Sequence, residues 1–310
     1  MKIGIASPLE VHTLLSHFSK YSLEEIPEGY KGTMIPTYLA NGLLNLGHTV
    51  SMYTLDPSIS SPKVLKGENL TIYIGVYRNP ARFRMIDLFK AERDYICRAI
   101  NLDKPDIVNA HWTYEFALGA LATQYPTIIT AHDAPLQILK YQFDLYRFVR
   151  LIMAWWAIRK TENLSAVSLY ISNHLKKYFL YMDKIKIIPN GIPLGERTRL
   201  PSRSERKKII FFSIANGWGK RKNEKKLLHA FSSVYNQEPS TELWMFGASH
   251  GVGEVAHKWA ETHGLSQGVK FKGSTMHSEL MRDIEKYADI LVHPSLEESF
   301  GNIFLEAGKF

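Results

Sequence analysis

Near the end of the 310-residue sequence stands the run His293-Pro294-Ser295-Leu296-Glu297-Glu298-Ser299-Phe300-Gly301-Asn302-Ile303-Phe304-Leu305-Glu306-Ala307. It reads as a strand ending at His293, a turn through Pro294 and Ser295, and the start of a helix. Backbone N–H groups at a helix start point outward and favour an anion. Gly301 lets the main chain approach a ligand closely. Glu298 stands before the helix and Glu306 within it, and a carboxylate on a helix that faces a cleft can accept two hydrogen bonds from a vicinal diol. Taken alone, two glutamates eight apart are more simply a capping acid and a solvated helix acid.

Two further groups carry chemistry. Lys220-Arg221-Lys222-Asn223 follows an apolar run and concentrates positive charge, which in isolation is as well explained by a solvated basic turn. His132, in Thr130-Ala131-His132-Asp133, also follows a strand-like run. By itself it suits a satisfied structural histidine.

The elements that position these residues alternate along the chain. Residues 3–6, 50–53, 71–76, 107–110, 127–130, 165–167 and 185–188 are compact apolar runs that predict strands. Helical spacing covers 38–46, which ends at Gly47 as a natural C-terminal stop, as well as 86–100 and 116–124. Residues 193–208 are polar and basic with two prolines, which predicts a linker. The alternation then restarts: strands at 209–213, 243–246, 269–272 and 290–293, helices at 224–235, 255–263 and 278–287, and a last helix from about Asn302. This is an α/β chain with an N-terminal domain over 1–195, a linker over 196–208 and a second domain over 209–310. Ligands of parallel sheets bind beyond the carboxyl ends of the strands, so two facing sheets would place a site in the cleft between them.

The order strand, Pro-Ser, Glu298, Phe300-Gly301, Leu305-Glu306-Ala307 closely resembles the Glu-x7-Glu signature of retaining GT-B glycosyltransferases of the family 4 type. Other segments agree in order. Gly32, followed by Leu39-Ala40 and Leu46-Gly47-His48, resembles the family's Gly-Gly loop and first helix, with Lys31 in place of the first glycine. Thr130-Ala131-His132-Asp133 resembles the strand-end histidine near the reacting sugar. Val167-Ser168 and Ile188-Pro189-Asn190-Gly191-Ile192 match the family's spacing. Lys222-Asn223 with Leu227-Leu228-His229-Ala230-Phe231 resembles its Lys-Gly helix start. Where the family commonly carries an arginine stand Asn216 and Gly217, so either Lys220 or Arg221 takes that role or the activity is weakened.

The resemblance implies a GT-B fold, two Rossmann-like domains facing a cleft. It implies transfer of a sugar from a nucleotide-sugar donor to a saccharide or lipid-linked acceptor with retention, in cell-surface polysaccharide or lipopolysaccharide synthesis. Glu298 would lie by the donor sugar and diphosphate, Glu306 would bind the ribose, and the amides of Phe300, Gly301 and Asn302 would touch the donor. Gly32 would also meet the donor, and His132 the reacting sugar. A diphosphate leaving group needs positive charge as its bond breaks, and Lys220, Arg221 and Lys222 would supply it. The nucleotide sugar is a substrate, so no cofactor is expected. The family pattern runs past the glutamate helix, so the second domain is expected to be incomplete at Phe310 and poorly stable. The alternatives are a GT-B sugar-nucleotide epimerase and a non-catalytic truncated fragment.

Composition narrows the classes. Apolar residues make 45% and charged residues 22%, values of a globular chain, not of a disordered or coiled-coil one. The formal charge is +8; residues 1–200 hold 23 basic and 17 acidic side chains, and residues 201–310 hold 15 and 13. The N-terminal part is therefore the better candidate to meet an anionic surface, although solubility explains the same excess. The single cysteine, Cys97, excludes an internal disulfide and is expected as a buried small hydrophobe. No Asp-x-Asp motif, no Gly-x-Gly-x-x-Gly after the first strand and no plausible histidine set point to a bound metal or NAD. Charge alone makes no case for nucleic acid. The N-terminus lacks a signal-peptide pattern, and the strongest apolar run, 151–158, is far short of the ~20 residues that span a bilayer. A cytoplasmic protein is expected, free or peripheral at the inner face of the membrane. Residues 139–160 mix Tyr141, Phe143, Tyr146, Phe148, Trp155 and Trp156 with Lys140, Arg147, Arg150, Arg159 and Lys160. That pattern suits an interfacial helix on anionic lipid, and suits still better a core-facing helix with snorkelling basic ends.

Overall fold

The computed structural model describes residues 1–30, 34–193 and 208–309. The chain divides after Pro193 into two compact units.

Unit 1 contains β1 (Lys2–Ala6), α1 (Ile35–Asn45), β2 (Thr49–Asp56), β3 (Lys63–Lys66), β4 (Leu70–Val76), α2 (Ala81–Met85) and α3 (Lys90–Asp103). Then come β5 (Ile107–His111), α4 (Glu115–Ala120), β6 (Thr127–Ala131), α5 (Pro135–Tyr141), α6 (Leu145–Lys160), β7 (Leu164–Ala166), α7 (Leu169–Phe179) and β8 (Lys186–Ile187). The sheet order is β3-β4-β2-β1-β5-β6-β7-β8. Every pairing is parallel except β3 on β4, an antiparallel edge that the sequence reading did not contain. The winding runs outward from β1 to β2 and β4, then returns to place β5 on the other side of β1. The carboxyl ends of β1 and β5 therefore form a topological switch point. Ile5, Val50, Met52, Ile72 and Ile74 fill one core face with Leu9, Val11 and Leu14. Ser168 caps α7, its hydroxyl accepting from the Ile171 amide at 3.2 Å.

Unit 2 contains β9 (Ile209–Ile214), α8 (Glu224–Gln237), β10 (Thr241–Phe246), α9 (Val255–Thr262), β11 (Val269–Gly273), α10 (His277–Tyr287), β12 (Ile290–Leu291) and α11 (Asn302–Ala307). Its parallel sheet has the order β11-β10-β9-β12. All six residues of β10 are buried. Because side chains alternate across a strand, Leu243 and Met245 pack with Leu228, Phe231, Ala256 and Ala260 on one face. Trp244 joins Phe212, Phe246 and Ile284 on the other. Burial on both faces explains why residues 243–246 of β10 read as a continuous apolar run. Here too the winding reverses, leaving a switch point between β9 and β12. The expected strand over 290–293 is paired only through Leu291, so His293 belongs to the loop beyond it. Cys97 is only half-buried, with its thiol 3.6 Å from the Ala122 carbonyl, because it lies between the buried face of α3 (Ile96, Ile100) and solvent.

Candidate active site

In unit 2 the loop after β9 and the loop after β12 leave neighbouring strands at the switch point, and main-chain contacts bind them together. The Leu296 amide donates to the Arg221 carbonyl at 2.8 Å. The Asn223 side-chain amide donates to the Pro294 carbonyl at 3.1 Å, and Asn223 itself sits in the left-handed region (φ 62°) as it enters α8. Held this way, the basic turn faces the acidic one. Lys222 Nζ lies 2.5 Å from Glu298 Oε1, and His293 Nε2 lies 2.8 Å from the same oxygen. Arg221 Nη1 donates to the buried Glu297 Oε2 at 3.2 Å. Burial by itself would raise the Glu298 carboxyl, but hydrogen bonds from His293 and Lys222 outweigh it and hold it down to about 2. Lys220 is exposed at the rim of the turn.

Gly301 shows why its residue type is needed. Its φ is +74°, and a Cβ there would stand 2.7 Å from Phe304 Cδ2, so any side chain would meet both a strained backbone and a ring. This turn lets α11 begin directly at Asn302, with Phe300 and Asn302 half-buried beside it. Glu306, on α11, is 2.9 Å from His277 Nε2 at the start of α10. Asn216 accepts from the Ala248 amide at 3.2 Å through its side-chain oxygen, joining the ends of β9 and β10.

In unit 1, His132 directly follows β6, and its Nε2 lies 2.8 Å from Nδ1 of His111, the last residue of β5. Burial pushes the His132 imidazole down to about 4, and His111 well below the ordinary histidine range through burial and its neighbour. Next to them Tyr114 donates to Asp133 at 3.3 Å. The Arg150 guanidinium stacks 3.7 Å over the Tyr114 ring and reaches the fully buried Glu115 at 3.6 Å. Arg150 is thus an internal residue of α6, not one of its surface cations.

Within unit 2, Arg221, Lys222 and Glu298 are brought together and Glu306 is carried on the adjoining helix. His132 is placed at the strand ends of unit 1. Gly32, with Lys31, and positions 196–207 of the expected linker lie outside the described residues. The sequence reading missed His111, His277 and Glu297, and assigned His293 no role. For His111 a signal existed: it ends a strand-like run, as does Thr130-Ala131 before His132. His277 and Glu297 carried none, because each is defined only by a partner distant in the chain. Among the described residues no group of three or more His, Cys, Asp or Glu could hold a metal ion, and no helix is long and apolar enough to cross a membrane.

Two mainly parallel, doubly wound units, each with polar and charged side chains gathered at its strand ends, define the GT-B class of glycosyltransferases. The Glycosyltransferase Family 4 model matches residues 36–196 and the Glycosyl transferases group 1 model residues 196–310, and the chain belongs to this family. It is 24% identical over 295 residues to the phosphatidylinositol N-acetylglucosaminyltransferase GPI3 subunit of Saccharomyces cerevisiae strains RM11-1a and S288c, covering 88% of this chain. The chain spans 61% of the length of those curated relatives. Among solved structures, a UDP-forming α,α-trehalose-phosphate synthase from Burkholderia xenovorans superposes with a TM-score of 0.67 at 11% identity, over 99% of this chain and 81% of that one. The E. coli trehalose-6-phosphate protein bound with UDP-2-fluoro glucose superposes with a TM-score of 0.63 at 10% identity, over 100% and 81%. These likenesses are of fold.

Proposed function

We propose that the chain transfers a sugar from a nucleotide-sugar donor to a hydroxyl of a lipid-linked or saccharide acceptor, with retained anomeric configuration. The observation that carries this reading is the meeting of Arg221 and Lys222 with Glu297 and Glu298 at the unit 2 switch point. Cations already held in place by carboxylates are preorganised for a diphosphate, whose charge grows as the glycosidic bond breaks. Lys222 and Arg221 grip it, with Lys220 at the rim. The amides of Phe300, Gly301 and Asn302 receive its oxygens. Glu306 binds the ribose diol, Glu298 the donor sugar, and His132 positions the reacting sugar.

Retention is part of the proposed family reading, and the state of Glu298 bears only on its route. A carboxylate held by Lys222 and His293, with its pKa down to about 2, is a poor covalent nucleophile. The reading is therefore same-face attack through an oxocarbenium-like ion pair. The acceptor oxygen bonds to the anomeric carbon as the diphosphate oxygen leaves, and the acceptor proton passes to that diphosphate. No metal or cofactor is assigned to the site. The curated relatives are named as phosphatidylinositol glycosyltransferases, which favours a lipid-linked acceptor over a free polysaccharide here.

An acceptor in a membrane gives the outer face of α6 a use. Leu145, Phe148, Ile152 and Trp155 are exposed along one side of the helix, Phe143 precedes them, and Arg159 lies over Trp155. Residues spaced three and four apart share one helix face, so this is an apolar stripe with a basic end suited to the inner, anionic face of a bilayer.

The test of transfer is chemical: the chain, supplied with a panel of nucleotide sugars and lipid extract, releases free nucleoside diphosphate only when acceptor is present. Release that never depends on an acceptor would end the transferase reading.

A further inference from the structure

β5 and β6 are parallel neighbours with His111 opposite Thr130. The residue that follows β6, His132, is thereby carried alongside the end of β5. The two rings are 5.0 Å apart between centroids and inclined by 21°, with His111 Nδ1 and His132 Nε2 only 2.8 Å apart. That centroid separation is close to the greatest that such a contact allows. The rings therefore meet edge to edge, nearly in one plane, where the nitrogen lone pairs point. Such a contact is a hydrogen bond holding one proton, with one imidazole donating and the other accepting.

The surroundings of His111 decide which ring donates. Its side chain is buried, and its Nε2 has no hydrogen-bond partner among the described residues. A proton on Nε2 would leave a buried N–H without an acceptor, which native interiors tolerate less well than a bare acceptor. A proton on Nδ1 is used in the bond to His132, and only a lone pair is left bare. His132 Nε2 is then the acceptor, and the proton of neutral His132 must sit on Nδ1. Thr130, the nearest hydroxyl on β6, is engaged elsewhere, with Asn109 and Ser165 both at 2.9 Å.

We infer that His111 is a positioning residue that locks His132 in the Nδ1–H tautomer, so that His132 meets the reacting sugar as a hydrogen-bond donor and not as a base. This rests on the reading of His132 given above and deepens it. The downward pKa shifts of both imidazoles agree with a neutral pair at neutral pH. The fixed donor suits a sugar hydroxyl or phosphoryl oxygen. It also leaves the acceptor proton to the departing diphosphate, because Nδ1 cannot accept it.

The test is long-range proton–nitrogen NMR of the full chain labelled with 15N-histidine, His132 being assigned through His132→Gln. The expected result is a protonated Nδ1 and an unprotonated Nε2 on His132 in the unaltered protein. His111→Asn, whose amide keeps an N–H near the position of Nδ1, retains that signature; His111→Leu loses it. An Nε2-protonated His132 in the unaltered chain overturns the inference without any variant, as does an unchanged Nδ1–H signature in a folded His111→Leu. No nucleotide sugar is needed, so failure here leaves donor binding by unit 2 standing. Conversely, a chain with the tautomer but no sugar transfer removes the function and keeps the His111–His132 relationship.

Discussion

Lys222 and Glu298, 76 positions apart in the chain, meet at 2.5 Å where the loops leaving β9 and β12 converge. A pair only partly open to solvent keeps its strength where a surface pair would be screened. It also prevents Lys222 from folding back on the surface. Replacing Lys222 with Met should lower kcat/KM for transfer by about 10²-fold or more, the usual cost of removing one preorganised charge donor. Lys220→Met, at the exposed rim, should cost about tenfold or less. Equal losses in the two variants would argue against Lys222 as the principal grip.

Glu306 offers a separate handle, because binding can be measured without turnover. Glu306→Ala should weaken nucleoside diphosphate binding by about tenfold, near 1.4 kcal/mol, in titration calorimetry. The loss should vanish for a 2′,3′-dideoxy nucleotide, which has no diol to present. Unchanged affinity for the ordinary nucleotide would remove Glu306 from the ribose site.

Acid should weaken unit 1 before it touches the Glu298 cluster. Burial lowers His132 and His174 to about 4, whereas in the unfolded chain they return to ~6.5. Between those values the unfolded state binds protons that the native state refuses. Stability that is fully present above pH ~6.5 is therefore lost as the pH falls toward 4, by roughly 3 kcal/mol for each histidine. Glu298 has the opposite starting point, a carboxyl held down to about 2, and its contribution is lost only below pH ~4.5. Denaturant midpoints followed by fluorescence at pH 7.5, 5.5 and 4.5 should fall steadily, and a flat series would contradict the buried neutral histidines.

The face of α6 makes a prediction about surfaces. Phe148→Ser with Trp155→Ser removes two exposed aromatics without touching the buried Val149, Met153 or Ala157. Flotation with phosphatidylserine-containing vesicles should fall at least about tenfold, since binding scales with buried apolar area. Binding that ignores both the substitutions and the acidic lipid would remove the membrane assignment.

Much of the architecture is written locally. The strands β9, β10 and β12 of unit 2 contain short apolar runs and β11 alternates apolar with basic residues, and the glycine at Gly301 answers a left-handed turn beside Phe304. The ends were less legible. The strand over 290–293 stops at Leu291 because pairing with β9, not apolar character, sets its length. The antiparallel β3, with only Leu65 buried, has too little pattern to mark it as a strand. Arg150, counted by sequence among the surface cations of α6, is turned inward by Glu115 and Tyr114.

Local sequence carries the alternation of strand and helix, the basic turn, the paired glutamates and the strand-end histidine, because each depends on neighbours within a few residues. Tertiary structure alone decided that Arg221 answers Glu297, that His277 holds Glu306, and that His111 lies against His132. Those relations join residues brought together by sheet order. Parallel strands separated by a crossover become neighbours through their shared ladder and the packed helices, and no local pattern in the chain records which side chains will face one another across that boundary.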